Sequence, residues 1–409
     1  MNGIFKIICK IFSRLLVLLL LTGQIPVFSA EKSVEYPPAP QWQNLGNFDI
    51  VPCPKAINIE KKSLSADKII IRYIKDQYGR TRSAAQEIVF AVQAAGGTAE
   101  STECEIKNLL TPADSLLIII GYDKKSLPLK NVNDNFSGEN VWLKPQGYII
   151  THHKAGSADL ILIWGADDTG ALYGAVTLSR LIKTENSGAK IYGAEVVDWP
   201  DIPYRIASGM EAAANLIEKG SLEKAQLMMK YYIRQAALSK CNSVRTEFFH
   251  PAGKSEYLTD KEIKAVSMIL DYARSYGVRL HFFFHMNIGS QEKRKDDPRY
   301  KGVPIIRGYF MSWSHEALIA ETCAALAGQV KIFGDAADYG FHFPDTHEGG
   351  WANRSDQCRK RWGDDRAAAD AWLAEKFYSA VKKVSPKSQI QFVFYPYSHN
   401  LDYPGNKAV

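Results

Sequence analysis

The feature that most constrains the fold is a regular alternation that begins after Asp198-Trp199-Pro200. Strand-like runs at 204–209, 242–249, 278–285, 338–343 and 389–395 are separated by helical runs at 221–239, 260–276, 315–328 and 364–384. Aromatic and β-branched residues crowd the strands, as in VRLHFFFH at 278–285 and QIQFVFY at 389–395. Near-continuous apolar strands with helices between them predict a parallel sheet covered on both faces. A (β/α)8 barrel of the TIM type is its natural completion. Residues 199–409 number roughly 210, against about 250 for a whole barrel, and only five strands are visible. An open arc would expose an apolar sheet edge. The expectation is therefore an α/β chain whose barrel is truncated after strand five.

Ahead of the barrel lies a different rhythm. Residues 48–198 contain strands at 68–73 (KIIIRY), 116–121 (LLIIIG), 147–151 and 159–164 (DLILIW), with helices at 83–95 and 170–182. Strands interleaved with helices on one face predict a small α+β layer domain. Residues 31–47, with Pro37, Pro38 and Pro40, read as a leader strap. Residues 1–30 hold Lys6, Lys10 and Arg14 before an apolar run at 15–21, the order of a cleaved secretory signal. That run is shorter than the ~20 residues that span a bilayer, so an exported protein without a membrane anchor is expected.

Charge and cysteine content narrow the class. Lys6, Lys10 and Arg14 supply half of the net charge of +6, which leaves too little basic charge to predict a nucleic-acid partner. Cys53, Cys104, Cys241, Cys323 and Cys358 are widely spaced and form no CxxC pair. Buried free thiols are the simpler reading, and a Cys53–Cys104 bridge is the alternative in an oxidising compartment.

In a barrel of this kind the carboxy ends of the strands form the active site. Strand two ends at Glu247 and His250, strand three at His285 and Asn287, strand four at His342, Asp345, His347 and Glu348, and strand five at Tyr397, His399 and Asn400. Four successive strands ending in hydrogen-bonding groups predict a polar ligand cleft. The stretch 341–351 (FHFPDTHEGGW) is the most informative, because it sets two acids, Asp345 and Glu348, close together where one substrate bond could meet both. Trp351 and Trp313 are candidates for stacking on a sugar, with core packing as the equal alternative. His250, His285, His347 and Glu348 are competent metal ligands, but HExxH spacing is absent and no metal or cofactor is expected. The glycine-rich turn at 165–170 lacks a phosphate-loop pattern; Asp167 or Asp168 with Thr169 reads as a helix cap.

The junction carries a resemblance. Gly147-Tyr148-Ile149-Ile150, the run from Trp164 through Asp167-Asp168-Thr169-Gly170 to Gly174, Thr177-Leu178, and the run from Val197 to Arg205 follow at short spacings. Together they resemble the non-catalytic amino-terminal domain of bacterial β-N-acetylhexosaminidases entering the first barrel strand. Glycoside hydrolase families 20 and 84 carry this arrangement, and family 67 α-glucuronidases a related one. Lys240-Cys241-Asn242, the YARSYGV run at 272–278 and Phe394-Tyr395-Pro396-Tyr397 continue the resemblance in register.

The resemblance implies a glycan substrate whose own acetamido oxygen attacks the anomeric carbon. Asp345 would orient that group and Glu348 would protonate the glycosidic oxygen. His250, His285, Asn287, His347, Trp351, Tyr397 and Asn400 would contact substrate. The families place the two acids side by side, whereas Thr346 and His347 intervene here. Arg205 resembles an arginine of the family, read as a structural ion pair at the barrel floor. A catalytically degenerate carbohydrate-binding protein and a uronic-acid glycosidase are the alternative readings.

Overall fold

The computed structural model describes residues 43–64, 68–105, 115–123, 144–155, 158–185, 188–208, 221–246, 259–285, 298, 301, 303–306, 309–310, 312–342 and 351–393. The signal and leader-strap readings lie outside these residues, apart from the last five positions of the strap.

The first part of the chain forms β1 (Gln43–Asn44), β2 (Ala56–Leu64), β3 (Lys68–Ile74), α1 (Arg80–Ala94), β4 (Ala99–Cys104), β5 (Ser115–Tyr122), β6 (Tyr148–Ala155), β7 (Ala158–Gly165), α2 (Asp168–Ser179), β8 (Ile182–Glu185) and β9 (Gly188–Asp198). These strands make one mixed nine-stranded sheet in the order β1-β2-β9-β6-β7-β5-β3-β4, with β8 on β9. The run β7-β5-β3-β4 is parallel, while β6 and β9 return antiparallel. Ile69, Ile71, Ile118, Ile120, Ile161 and Ile163 face α1 and α2 in one core, and Ile70, Leu117, Ile119, Leu162 and Trp164 form a second core on the opposite face. Successive side chains alternate faces, so strands with no polar alternation bury both.

The second part forms β10 (Ile206–Ala207), α3 (Leu222–Leu238), β11 (Ser243–Thr246), α4 (Asp260–Ser275), β12 (Arg279–His285), the short pair β13 (Ile305–Ile306) and β14 (Tyr309–Phe310), α5 (Glu316–Phe333), β15 (Asp338–His342), α6 (Asp356–Trp362), α7 (Arg366–Val384) and β16 (Ile390–Val393). The sheet β10-β11-β12-β15-β16 is parallel throughout, in sequence order. Val244, Leu280, Phe282, Tyr339 and Phe341 pack against Met229, Ile233, Ile269, Leu326 and Phe377 of the helices. By composition α5 is long and apolar enough to cross a membrane. Its Leu326 and Val330 are fully buried in this core, as a core helix requires.

Polar contacts lock the two sheets together. Glu87 of α1, 3% exposed, accepts two 2.7 Å bonds from Arg234 of α3 and a third from Tyr276. Arg80 reaches the Arg274 carbonyl at 3.0 Å and the Asp168 carboxylate at 2.5 Å. Lys240, buried, donates to Asp198 at 2.7 Å and to Tyr148 at 2.8 Å. Its backbone φ of 56° is the left-handed conformation that usually falls to glycine after a helix. Here the buried contacts of the ammonium hold a side chain in that position.

The helix cap expected from Asp167-Asp168-Thr169 is present. Asp167 accepts from the Gly170 amide at 2.7 Å and from Gln146 at 2.8 Å. A Cβ on Gly170 would stand 2.1 Å from the Gly147 carbonyl oxygen, so the turn needs glycine there for close backbone approach. All five described cysteines are free thiols, so Cys53 and Cys104 are not bridged.

Arg205 departs from the expected ion pair. Its guanidinium donates to the carbonyls of Lys240 at 2.7 Å and Ile202 at 2.5 Å, to Gln146 Oε1 at 2.6 Å and to the Tyr173 hydroxyl at 3.2 Å. The loop entering β10 leaves carbonyls without backbone partners, and the five-donor fork of arginine satisfies several at once.

Candidate active site

Parallel strands end on the same side of their sheet, so β11, β12, β15 and β16 bring Thr246, His285, His342 and Val393 to one edge. Register pairs His285 with His342 and His342 with Val393, which sets these positions side by side at strand ends. The next rows down are Phe283, Gly340 and Gln391, then Arg245, His281 and Asp338. These positions alternate with the helix-facing residues, so they form the face away from the helices. A Cβ on Gly340 would lie 2.5 Å from the Phe283 ring, so glycine lets that ring lie across the face.

Beneath the edge a polar network fills this face. Arg279 grips Asp338 with two bonds, Nε to Oδ2 at 2.7 Å and Nη2 to Oδ1 at 2.6 Å. The Gln389 amide donates to the same carboxylate at 3.0 Å. The Tyr204 hydroxyl stands 3.0 Å from His281 Nδ1, 3.2 Å from Ser243 Oγ and 3.5 Å from Asp338 Oδ2. Ser243, His281 and Asp338 are fully buried. Burial holds His281 down at about 4 against the pull of Asp338, and pushes the Tyr204 phenol up to about 12. His281 is therefore a neutral imidazole at pH 7, and its ring is held by Tyr204 and by Phe283 at 4.7 Å. This network lies at the amino-terminal end of the strands, away from the edge formed by His285 and His342.

Of the residues expected to do chemistry, Asp345 and Glu348 lie outside the described residues, as do His250, Asn287, His347, Tyr397 and Asn400. The segments that carry them follow the ends of β11, β12, β15 and β16. His285 closes β12 and sits at the edge by its backbone position. Trp351 is 4% exposed and stands edge-on to Trp313 at 5.2 Å, with the Arg354 guanidinium 4.3 Å from its ring. Trp313 donates to Asp370 at 2.7 Å. Both rings thus occupy the core, which is the packing alternative weighed above for each. Asp370 is driven up to about 6 by burial, against the opposing effect of Arg366. Among the described residues, no group of three or more His, Cys, Asp or Glu is arranged to hold a metal ion.

Sequence reasoning did not single out Tyr204, Arg279, His281 or Asp338 as functional. For Arg279 and His281 a signal was present: with His285 they recur at even spacing inside VRLHFFFH, the period-two mark of a polar face.

No known protein family matches the sequence, and no curated protein does. Solved structures match by fold. Flavobacterium johnsoniae chitobiase aligns at TM-score 0.57 and 14% identity, over 84% of this chain and 52% of its own. The exo-β-N-acetylglucosaminidase of Vibrio harveyi, solved with N-acetylglucosamine, aligns at 0.54 and 11%, over 84% and 54%. The β-N-acetylhexosaminidase of Bacteroides fragilis aligns at 0.53 and 16%, over 85% and 66%. The chain thus spans about half to two thirds of the length of these structures. At such identities the likeness is one of fold alone. The chain is a mixed α/β protein with a β-N-acetylhexosaminidase-like fold.

Proposed function

We propose that the protein is an exported glycoside hydrolase that cleaves terminal β-linked N-acetylhexosamine from glycans. The five parallel strands would be part of a (β/α)8 barrel with its cleft at their carboxy-terminal edge. The observation that carries this reading is that one sheet edge gathers the ends of four strands, each followed directly by a segment rich in acids, histidines, tyrosine or asparagine. The fold likeness to chitobiase and β-N-acetylhexosaminidase supports the choice of sugar.

In this mechanism the acetamido oxygen of the substrate attacks the anomeric carbon while Glu348 gives its proton to the departing glycosidic oxygen. Asp345 holds the acetamido group and balances the positive charge that develops on it. Water then opens the cyclic intermediate, returning a proton to Glu348, and the sugar leaves with its β configuration retained. His285, Tyr397 and Asn400 would bind the ring hydroxyls.

The test is turnover of a chromogenic N-acetylhexosaminide by the full protein. Asp345→Asn should lower kcat by about a thousandfold, the scale of removing a preorganised electrostatic partner of the transition state. Unchanged turnover removes Asp345 from the mechanism. The two residues between Asp345 and Glu348 favour a second reading, a carbohydrate-binding protein on a degenerate hydrolase fold. Glycan binding by wild type without release of reducing sugar would select it.

A further inference from the structure

Helices α6 and α7 carry an aromatic and cationic surface that the proposed hydrolysis does not use. α6 stops at Gly363, whose φ of 55° turns the chain into α7. That turn brings Trp362 against Trp372, with ring centroids 5.8 Å apart and planes at 53°. The Arg361 guanidinium stands 4.6 Å from the first ring and 4.2 Å from the second. One turn further along α7, the Lys376 ammonium is 5.2 Å from Trp372. Trp362 donates its indole N–H to Ser314 at 2.9 Å, which fixes the ring, while Trp372 makes no hydrogen bond among the described residues. Both indoles are partly buried against the helix core; Arg361 and Lys376 are exposed.

The cations here are uncommitted, unlike others in the molecule. Arg234 over Phe90 is bonded to Glu87, Arg80 over Tyr78 to Asp168, and Arg354 over Trp351 to Asp364. Arg359, two residues before Arg361, is occupied by Asp356 and the Ala352 carbonyl. Arg361 and Lys376 have neither a carboxylate nor a carbonyl partner among the described residues, and exposed Glu375 pairs with neither. A guanidinium held between two indoles keeps outward N–H donors ordered for an anion. An indole beside it offers apolar area and a free N–H, which suits the CH face and hydroxyls of a sugar.

We propose that Trp362, Trp372, Arg361 and Lys376 form a surface site for an acidic glycan, whose ring lies on the indoles while its carboxylate or sulfate pairs with the two cations. The choice of a glycan among anionic ligands rests on the hydrolase reading above. Topology supports it: α7 begins on the side where β15 ends, and Trp372 is the seventh residue of α7, about 10 Å along it. A polymer seated there flanks the strand edge that holds the proposed cleft, so the site would retain an acidic chain while its end is processed.

The experiment is affinity electrophoresis of the full-length protein in gels containing hyaluronan, which carries carboxylates only, chondroitin sulfate, which adds sulfate, or neutral chitin oligosaccharides. Wild type should be retarded by one or both acidic polymers, less so at raised ionic strength, and not by the neutral control. Retardation by both assigns the carboxylate, and by chondroitin sulfate alone the sulfate. The double variant Arg361→Ala/Lys376→Ala changes only exposed side chains and should weaken binding about tenfold or more. Trp372→Ala should do the same, and kcat/KM on a small chromogenic substrate should stay at the wild-type value in both variants. Wild type that ignores both acidic polymers, or a double variant that binds as wild type does, overturns the site. Acidic-polymer binding without turnover overturns the hydrolase reading alone, and turnover without binding overturns the site alone.

Discussion

The two sheets treat their second face in opposite ways. In the nine-stranded sheet, β3, β5 and β7 bury isoleucine, leucine and tryptophan on both sides. In the five-stranded sheet only the helix side is apolar, while Ser243, His281 and Asp338 lie fully buried on the other. Burying a polar group is unfavourable unless its bonds are satisfied, so this face is stable only as a connected network. Tyr204, Arg279 and the Gln389 amide supply the connections. The first sheet is therefore a scaffold whose stability follows from burial, and the second accepts a costlier interior beneath an edge where chemistry can be placed.

The joint between them offers the largest expected effect. Lys240 is 7% exposed; burial disfavours its charged form and lowers its pKa, and Asp198 opposes that only in part. Removing one partner of a buried pair leaves an uncompensated charge, which typically costs about 3–5 kcal/mol. Lys240→Ala should destabilise by that order in urea unfolding followed by tryptophan fluorescence. If the sheets unfold as one body, the single transition moves to lower urea. If they are separable, an early phase splits off. An unmoved midpoint would mean that the joint contributes no stability and that each sheet stands on its own.

This division was partly written in the sequence. The runs LLIIIG, DLILIW, VRLHFFFH and QIQFVFY mark β5, β7, β12 and β16 because β-branched and aromatic residues have few other uses in such density. The Asp167 cap was equally readable, since an acid three residues before an amide-presenting glycine is a local motif. Strands β2, β4, β8 and β9 were not. AESTEC at β4 is a sheet edge with four exposed residues in six, so it shows no apolar period. β2 and β9 break their alternation at a bulge between Ile59 and Ser63. The helix at 170–182 also ends early, at Ser179, because Ile182 pairs with Ile191. Arg205 was singled out as a structural residue, yet its carbonyl partners come from two loops, Ile202 three residues away and Lys240 35 away. The polar face of β12 was marked by Arg279, His281 and His285 at even spacing, but its partners were not, because Tyr204 lies 77 residues from His281 and Asp338 59 residues from Arg279.

The polar face should also reveal itself through pH. His281 is depressed to about 4 by burial, while an unfolded histidine titrates near 6.5. Below pH 6.5 the unfolded chain takes up a proton that the native ring refuses. Stability is therefore fully present above pH 6.5 and lost as pH falls toward 4, by about 3 kcal/mol. Asp370 in the helix layer acts in the reverse sense. Burial raises its folded value to about 6, so the native state binds the extra proton and gains stability as pH falls from 6 toward 4. The two offset each other in wild type. His281→Gln keeps a hydrogen-bonding side chain and removes the titration, so between pH 7 and 4.5 its stability should rise by about 2 kcal/mol relative to the wild-type profile. Urea midpoints at pH 7 and pH 4.5 measure this, and parallel profiles for the two proteins would show that His281 is not held neutral.

The smallest effect tests whether the first sheet is as modular as its two apolar faces suggest. Asp167 caps α2 through the Gly170 amide and also ties down Gln146, whose side chain bonds Arg205 at the entrance to the second sheet. A lost carboxylate cap alone costs about 1 kcal/mol. Burial raises the Asp167 carboxyl, so its cost of ionisation inside the protein already offsets part of what the two amides return. Asp167→Ala should therefore lower the unfolding free energy read from urea denaturation by no more than that amount, and Asp167→Asn, which keeps an acceptor for Gly170, by less. The informative quantity is its coupling to Arg205→Lys in a double-mutant cycle. Additive changes would confine the cap to α2. A coupling of about 0.5 kcal/mol or more would show that the turn positions the first strand of the five-stranded sheet through Gln146, and that the scaffold reaches into that sheet.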